Sequence, residues 1–169
     1  MKKSKKNTKK PNDKFRSNVC IALRKKGTDL FLVGHRKGYP RDKGWQFPQG
    51  GIEPGGDFLE EMKRELREEI GTDSIKVIRL SPEKYTYTFP PEYALRRPGF
   101  IGQKQRWVLA EYAGDDSGIN CLHEPAEFDE FQWKKADEVL EIIVAFKKNV
   151  YARAMNDLGI IKKQKHSPQ

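Results

Sequence analysis

The chain has 169 residues, 36% of them hydrophobic and 34% charged, and its 33 lysines and arginines against 24 aspartates and glutamates give a formal net charge of +9. This length suits one domain with its own core. No apolar run approaches the roughly 18 residues of a membrane helix, the basic N-terminus lacks the apolar segment of a secretion signal, and two cysteines do not suggest a disulfide framework. We therefore expect a cytoplasmic protein without a membrane partner.

The positive charge is concentrated at the two ends of the chain. Residues 1–16 carry eight basic side chains and one aspartate, and residues 162–169 carry three lysines, so residues 17–161 are close to neutral. Segments rich in charge and poor in apolar residues bury too little surface to fold. We expect a basic, disordered tail over 1–16, a single domain over 17–161 and a second basic tail over 162–169. The tails either hold an RNA backbone through counterion release or serve solubility.

Strands and helices are interspersed along the predicted domain, as judged from its hydrophobic periodicity. The first two strands are expected to form a hairpin across the turn at residues 25–29. Expected strands cover residues 18–24, 30–35, 74–80, 84–89, 106–112 and 128–133, and expected helices cover 57–70, 136–143 and 146–158. Such an arrangement predicts an α/β fold in which a mixed sheet is packed between helices.

The helix predicted at residues 57–70 has an apolar face and an acidic face. Asp57 suits its N-cap, and Gly71 suits its C-terminal end. At about 100° per residue, four apolar side chains share one arc and four glutamates share the neighbouring arc. The apolar set is Leu59, Met62, Leu66 and Ile70, and the acidic set is Glu61, Glu65, Glu68 and Glu69.

The acidic face requires something that offsets its repulsion, because like charges at this spacing destabilise a helix by about 0.2–0.5 kcal/mol per pair. One interpretation is a solvated face that is neutralised by basic neighbours such as Arg64. The other is a divalent-metal site for phosphate chemistry, since clustered carboxylates suit Mg²⁺. The glycine-rich stretch 50–56 favours the metal site, because it allows the backbone to approach closely and present a carbonyl at Gln49 or Gly50.

The same residues resemble the Nudix box, which reads Gly, five residues, Glu, seven residues, Arg-Glu, an aliphatic residue, any residue, Glu-Glu, any residue, Gly and a last apolar position. The chain departs from it at Gly56, which stands where the box has Glu, and at Thr72, which stands where the box has an apolar residue. Asp57 could partly replace the missing carboxylate. The matching positions are Gly50, Arg64, Glu65, Leu66, Glu68, Glu69 and Gly71.

Flanking segments make the resemblance more specific. They resemble the branch of the Nudix family that contains bacterial RNA pyrophosphohydrolases and asymmetric diadenosine tetraphosphate hydrolases. These segments are residues 44–52, 101–107, 127–133 and 144–151. The resemblance extends over about residues 15–158 and implies a Nudix α/β/α sandwich with a central mixed β-sheet.

The resemblance also implies the chemistry of the site. Glu65, Glu68 and Glu69 are the expected catalytic carboxylates and inner metal ligands, and either Glu65 or Glu69 would accept the proton of the attacking water. Glu127 would complete the metal site from a distant loop, and Gly50 would offer its carbonyl oxygen. We expect two or more Mg²⁺ or Mn²⁺ ions as cofactors.

Substrate-binding residues are implied by the same resemblance. Arg16 and Phe146 would stack on the two faces of a nucleobase near Val144, and Arg36 and Lys147 would meet phosphates. Considered without the resemblance, an aromatic residue such as Phe146 on an amphipathic helix is more often part of the core, and a lysine such as Lys147 is more often solvated. The expected phosphate channel contains Gln103, Lys104 and Gln105. Tyr87 or Tyr85 could add a hydroxyl group there, although packing on a strand face is the simpler interpretation.

Three functions are compatible with these residues. The first is removal of pyrophosphate from the 5′-triphosphate end of RNA, which the basic tails favour. The second is asymmetric hydrolysis of dinucleoside polyphosphates such as diadenosine tetraphosphate, by the same attack on a phosphoanhydride. The third is an RNA-binding module with a weakened active site, suggested by Gly56.

Overall fold

One mixed β-sheet organises the part of the chain that the computed structural model describes, residues 14–53, 55–121 and 126–162. Its strands are β1 (Phe15–Lys25), β2 (Leu30–Arg36), β3 (Trp45–Gln46), β4 (Gln49–Gly51), β5 (Ile75–Thr88), β6 (Gly102–Tyr112) and β7 (Phe128–Lys135). The helices are α1 (Phe58–Ile70), α2 (Pro91–Ala94), α3 (Ala136–Ile142) and α4 (Ala145–Asp157). None of these described helices is long and apolar enough to span a bilayer.

The pairing of the strands makes the sheet mixed. The strands follow the order β3-β2-β1-β6-β5, with β4 also paired to β1 and β7 to β2. β1 and β6 run parallel, from Phe15 opposite Gly102 to Lys25 opposite Tyr112, and the other pairs are antiparallel. The expected hairpin of β1 and β2 is present. The structure thus confirms the predicted α/β fold with a central mixed sheet.

Side chains along each strand point alternately to the two faces of this sheet. Both faces therefore carry apolar side chains, and helices cover both. On β1, Val19, Ile21 and Leu23 pack in the core cluster that contains α1, whereas Cys20 and Ala22 pack in the cluster that contains α4. Burial of each large apolar side chain in these layers contributes roughly 1.5–3 kcal/mol. The helices contribute Met62, Leu66 and Ile70 from α1 and Val150, Tyr151, Ala154 and Met155 from α4.

Both ends of α1 are formed by the residues that the sequence indicated. The Asp57 side chain accepts a hydrogen bond from the Glu60 backbone N–H at 3.0 Å. At the other end, Gly71 has a left-handed φ of 76°, and its N–H donates to the Arg67 carbonyl at 3.1 Å. These caps satisfy backbone groups that a helix end leaves unpaired. The predicted helix is therefore confirmed with its boundaries.

Strands β5 and β6 differ from the prediction. The two strands expected at 74–80 and 84–89 are one strand, β5, which continues through Pro82. This is possible because β5 lies at the sheet edge and its ladder with β6 is irregular between Leu80 and Lys84, where no backbone donor is needed. β6 begins at Gly102 rather than at residue 106.

The boundaries of the domain also shift slightly. Phe15 and Arg16, which we assigned to the N-terminal tail, lie in β1. Lys14 and Lys162 are described as well, and the rest of the two predicted tails, residues 1–13 and 163–169, lies outside the described residues. The short elements α2, β3 and β4 were not predicted.

A buried histidine ties β2 to two neighbouring segments. His35 is 3% exposed; its Nδ1 lies 2.7 Å from Asp129 Oδ1, and its Nε2 lies 2.9 Å from the Pro40 carbonyl oxygen. Both partners are acceptors, so the ring satisfies them fully when both of its nitrogens carry protons. Burial by itself lowers the pKa of His35, but the bonds to Pro40 and Asp129 outweigh burial and raise this pKa above its ordinary value.

We predict that the hydrogen bonds of His35 to Asp129 and Pro40 make the stability of the fold depend on pH. Since the folded-state pKa of His35 is raised, its contribution is complete below the ordinary histidine pKa and is lost as pH rises through the folded-state value. Asp129→Asn should cost about 1 kcal/mol at pH 6, because Asp129 is partly exposed, and should flatten this dependence. Urea unfolding of both proteins between pH 6 and 9 measures the effect. Parallel curves for the two proteins would contradict the assignment.

Candidate active site

A polar cavity of about 290 Å³ opens beside β1, β4 and α1. Three carboxylates, those of Glu65, Glu68 and Glu127, line it. Three guanidinium groups line it as well, and amide side chains complete the wall. The arginines are Arg16, Arg36 and Arg97, and the amides are Asn18, Gln46, Gln49 and Gln103. The structure thus brings anionic and cationic side chains from separate parts of the sequence into one cavity.

Glu69 is the most deeply buried carboxylate of this region. It is 2% exposed; its Oε2 accepts a hydrogen bond from the Gln49 backbone N–H at 3.0 Å, and its Oε1 has no hydrogen-bond partner among the described residues. Burial, followed by the neighbouring carboxylates of Glu127 and Glu65, raises the pKa of Glu69 well above its usual range. Glu69 and Glu127 both present acceptors, so they bond to each other only when one carries a proton. An orphaned, desolvated carboxylate oxygen is the group that a cation would satisfy.

Glu65 lies directly against the backbone of β4. A Cβ atom at Gly50 would be 1.9 Å from Glu65 Cδ, so only glycine leaves room for this carboxylate. Glu65 is 9% exposed, and burial raises its pKa to about 7, opposed by the nearby Arg64 charge. The Gly50 position of the box therefore has a steric explanation, because it admits a carboxylate between helix and strand.

Arg64 neutralises the acidic face of α1. Its Nη2 donates to Glu61 at 2.8 Å and to Glu65 at 3.0 Å, and its Nη1 donates to Glu68 at 3.0 Å. In the described part of the chain, no three acidic, histidine or cysteine side chains are already gathered as a cation site. The donor set nevertheless fits a hard divalent cation, given the unpartnered Glu69 oxygen and the cradle at Gly50. Cation binding at Glu65 and Glu68 would compete with Arg64.

Several predicted substrate residues reach the polar cavity or support its wall. Arg16 lies over Gly51, where a Cβ atom would be 2.2 Å from Arg16 Nη2. Tyr87 donates from its hydroxyl to Gln103 Oε1 at 2.6 Å and so orients this cavity-lining amide. Gln105 is fully buried behind the wall. Its Nε2 donates to Asn18 Oδ1 at 2.8 Å and to Gln49 Oε1 at 2.9 Å, and its Oε1 accepts from Trp107 Nε1 at 3.2 Å.

Lys104 is not brought to this cavity, which corrects its expected place in the phosphate channel. Residues 103–105 belong to β6 rather than to a loop, so successive side chains point to opposite faces of the sheet. Gln103 faces the polar cavity, whereas Lys104 lines a separate cavity with Ser17, Lys84 and Arg106.

The residues predicted on α4 lie around a second, mostly apolar cavity of about 270 Å³. Val144 and Lys147 line it, but Phe146 does not and instead packs against Tyr87 and Tyr93, with ring centroids 5.7 and 5.0 Å away. The expected stacking slot between Arg16 and Phe146 is therefore not formed around either cavity. Phe146 belongs to an aromatic cluster.

Lys147 is buried rather than solvated. It is 5% exposed, and its Nζ donates to Gln46 Oε1 at 3.2 Å. Burial, assisted by the charge of Arg36, lowers the pKa of Lys147 to about 8. A buried ammonium whose described hydrogen bond goes to a neutral amide is well suited to an anionic ligand.

Sequence reasoning missed two kinds of residue. Gln46 and the side chain of Gln49, which was considered only for its carbonyl, stand in a segment already noted for its family resemblance, so that segment offered a signal that they contribute to the site. Arg97 follows α2 in a stretch without a motif, and nothing local indicated it. Arg97 lines the same cavity as Arg16 and Arg36, and burial followed by the charges of these two arginines lowers the pKa of Arg97.

The mixed sheet, the flanking helices and the carboxylates of α1 define the Nudix class of hydrolase. The family model for the NUDIX domain matches residues 14–154. The chain belongs to the Nudix family.

Relatives of known name agree with this placement. The chain is 34% identical over 150 residues to an RNA pyrophosphohydrolase of Wolbachia pipientis, covering 87% of this chain and 91% of that protein. It is 40% identical over 122 residues to the RNA pyrophosphohydrolase of Caulobacter vibrioides, covering 69% of each. It is also 37% identical over 154 residues to Nudix hydrolase 26, chloroplastic, of Arabidopsis thaliana, covering 86% of this chain and 70% of that protein.

Solved structures support the fold. The E. coli dihydroneopterin triphosphate pyrophosphohydrolase superposes with a TM-score of 0.65 at 16% identity, covering 84% of this chain and 98% of the other. A C. elegans Ap4A hydrolase superposes with a TM-score of 0.61 at 19% identity, covering 86% and 99%. At these identities the likeness concerns the fold alone.

We predict that Gly50→Ala displaces Glu65, because the added methyl would occupy the position of the carboxylate. The stability of the variant without metal should change little, because the end of the flexible Glu65 side chain can move aside, whereas its Mn²⁺ affinity should fall at least about tenfold. Urea unfolding and Mn²⁺ titration followed by electron paramagnetic resonance measure the two effects. Gly56→Ala is the matched control, since a Cβ atom there meets nothing closer than 3.4 Å. Equal effects of the two substitutions would contradict the steric argument.

Proposed function

We propose that this Nudix pyrophosphohydrolase removes pyrophosphate from the 5′-triphosphate end of RNA and leaves a 5′-monophosphate. The observation that carries the proposal is a single cavity in which three carboxylates, one of them the buried Glu65, face three arginines that form no ion pair among the described residues. Carboxylates suit divalent cations, and guanidinium groups suit phosphate oxygens. The names of the Wolbachia and Caulobacter relatives support RNA as the substrate.

Glu65, Glu68, Glu69, Glu127 and the Gly50 carbonyl would hold the metal in this proposal. Bound Mg²⁺ or Mn²⁺, as two or more ions, would neutralise phosphate oxygens and lower the pKa of the attacking water.

Glu65 is our choice for the general base. It lines the cavity, whereas Glu69 is buried behind Gln49. A base must lie within reach of the water that it deprotonates, and the position of Glu65 in the cavity wall allows this. Glu65 would take the proton from the water onto a carboxylate oxygen, and Glu69 would hold the geometry by its bond to the Gln49 N–H.

The cationic groups would position the phosphate chain. Arg16, Arg36 and Arg97 line the same cavity as the carboxylates, and Lys147 lies next to Gln46, which borders both cavities. Charge-assisted hydrogen bonds from these groups would orient the phosphates and stabilise the charge that develops on the departing pyrophosphate.

Hydrolysis of dinucleoside polyphosphates is the second candidate. The specific observation in its favour is the apolar cavity beside the polar one, which offers space for a nucleoside next to a phosphate chain. Both candidate reactions would use the same carboxylates.

A substrate comparison ranks these functions. We expect triphosphorylated RNA to be converted to its 5′-monophosphate with release of pyrophosphate, faster than diadenosine tetraphosphate is cleaved, when each is incubated with Mg²⁺ or Mn²⁺. Chromatography of the products measures both rates. Faster cleavage of diadenosine tetraphosphate would favour the second candidate. No turnover of either substrate with either metal would favour an RNA-binding module instead.

Amide substitutions on α1 test the catalytic carboxylates. Glu65→Gln and Glu69→Gln should each lower kcat at least about 10²-fold, since a base or a metal ligand is removed with little change of shape. Glu60→Gln is the control on the same helix, because Glu60 is exposed and lies 4.0 Å from Lys63 in a surface ion pair. Steady-state kinetics on triphosphorylated RNA give the values. Unchanged rates for the two buried positions would refute the assignment.

Arg97 and Arg96 form a natural pair for testing the arginine cluster. Arg97 is half-buried in the cavity wall, whereas its neighbour Arg96 is exposed. Arg97→Gln should lower kcat/KM about tenfold, because one charge-assisted bond to phosphate is lost, and Arg96→Gln should leave it near the wild-type value. The same order should hold for binding of inorganic tripolyphosphate measured by calorimetry. Equal behaviour of the two variants would exclude Arg97 from the phosphate site.

A further inference from the structure

The cavity that contains Lys104 lies on the face of the sheet that carries α1, and we call it the basic cavity. Helix α1 packs on β1 and β6 from Val19 and Val108 onwards. The first residues of both strands therefore extend beyond the N-terminal end of the helix. The basic cavity, of about 330 Å³, occupies this uncovered part of the sheet. Its lining includes Ser17, Ile52, Phe58, Lys84, Lys104 and Arg106.

Three positive charges meet on this face without a protein counter-charge bound to them. Lys84 of β5 lies directly opposite Arg106 of β6, and Lys104 follows two residues away on the same face of β6. Like charges directly opposite each other destabilise a sheet. Glu53 also lines the cavity, yet none of the three cations forms an ion pair among the described residues. A bound anion would relieve this repulsion.

The protein holds two of these cations in place before any ligand binds. The Arg106 guanidinium group lies 5.9 Å from the centre of the Phe58 ring, within the range of a cation–π contact. The backbone of Lys104 is paired on both sides, with Ser17 of β1 and with Thr86 of β5. Both basic side chains are half-buried. A preorganised site loses less conformational entropy when its ligand enters.

The basic cavity adjoins the polar cavity that holds the catalytic carboxylates. Asn18 lines both of them, and its Oδ1 is fixed by a hydrogen bond from Gln105 Nε2 at 2.8 Å. Gly51 borders the polar cavity and the next residue, Ile52, borders the basic one. A linear polyanion with one end among the carboxylates and arginines could therefore continue into the basic cavity along the protein surface.

We propose that the basic cavity binds the phosphodiester backbone of RNA downstream of its 5′ end, through Lys84, Lys104 and Arg106. The choice of RNA rests on the proposed function. Side chains two residues apart on a strand are separated by about 7 Å, so Lys104 and Arg106 would contact neighbouring phosphates of an extended strand.

Such contacts would select for a chain rather than for a base. Phosphate contacts position a nucleic acid and add salt-dependent affinity, but they carry no direct sequence information. A dinucleoside polyphosphate has no phosphodiester chain to place in the basic cavity. The basic cavity would therefore favour RNA over the second candidate substrate.

Binding of RNA without metal tests the inference separately from turnover. The probe is a single-stranded RNA octanucleotide with a fluorescent label at its 3′ end. Its 5′-hydroxyl end has no phosphoanhydride and cannot react. Fluorescence anisotropy gives its affinity between about 50 and 200 mM KCl. The test variant combines Lys84→Gln, Lys104→Gln and Arg106→Gln.

The control variant combines Lys26→Gln, Lys76→Gln and Lys134→Gln. It lowers the net charge by the same amount, but these lysines lie towards the opposite end of the sheet and do not line the basic cavity. Urea unfolding verifies that each variant is folded. Lys104→Gln alone replaces the test variant if the triple substitution does not fold.

We expect the test variant to bind the octanucleotide at least about tenfold more weakly at low salt. The slope of its log affinity against log salt should become shallower by about 2, because each phosphate contact to a single strand contributes about 0.7. Lys104→Gln alone should remove about 0.7 of this slope. The control variant should keep both the affinity and the slope close to those of the wild type.

Three results would overturn the inference. They are an unchanged salt slope in the test variant, equal losses in the test and control variants, and an equal loss of affinity for inorganic tripolyphosphate in the test variant. The last result would show that the basic cavity holds free phosphate rather than an RNA backbone. Octanucleotide binding that depends on these three side chains, without turnover of triphosphorylated RNA, would reject the proposed reaction and support the backbone site.

Discussion

The contact between the Glu65 carboxylate and the Gly50 backbone is the constraint on which the rest of the site depends. It joins the acidic helix α1 to β4, and β4 is held in the sheet by its pairing with β1. The next residue along, Gln49, donates its backbone N–H to Glu69. Helix α1, strand β4 and the carboxylates of Glu65 and Glu69 therefore form one packed unit. A side chain at position 50 would push Glu65 away from β4.

Burial of these carboxylates has an electrostatic cost that explains the surrounding charges. Desolvation raises the pKa values of Glu65 and Glu69, so their ionised forms need neutralising groups. Arg64 donates hydrogen bonds to Glu65 and to the more exposed Glu68. In the described part of the chain, however, Glu69 Oε1 has no hydrogen-bond donor. Cations and a phosphate substrate would complete this charge distribution together. Such a site is tuned for function rather than for stability.

Features set by neighbours in the chain were predictable from sequence. Helix α1 is recognisable from its caps at Asp57 and Gly71 and from its periodic apolar face, all of which act within a few residues. Features set by partners far along the chain were not. Lys104 was assigned to the wrong surface because the start of β6 depends on its pairing with β1, and a strand residue's face follows from that register.

Arg97 and Phe146 illustrate the same limit at the site itself. No pattern around Arg97 marks it, because its importance comes from convergence with Arg16 and Arg36, which precede it by 81 and 61 residues in the sequence. The family resemblance implied that Phe146 stacks on a nucleobase. In the structure its ring packs against Tyr87 and Tyr93. Its surroundings depend on how α4 docks on the sheet.

The sequence by itself determined the family, the fold class and the acidic face of α1, because helix periodicity, capping residues and the glycine-rich box are local properties of the chain. Only the tertiary structure decided which arginines face those carboxylates, why position 50 must lack a side chain, and where an apolar cavity lies beside the polar one. Those features arise from distances between segments remote in sequence. They are set by sheet register and helix packing. No single stretch of residues carries that information.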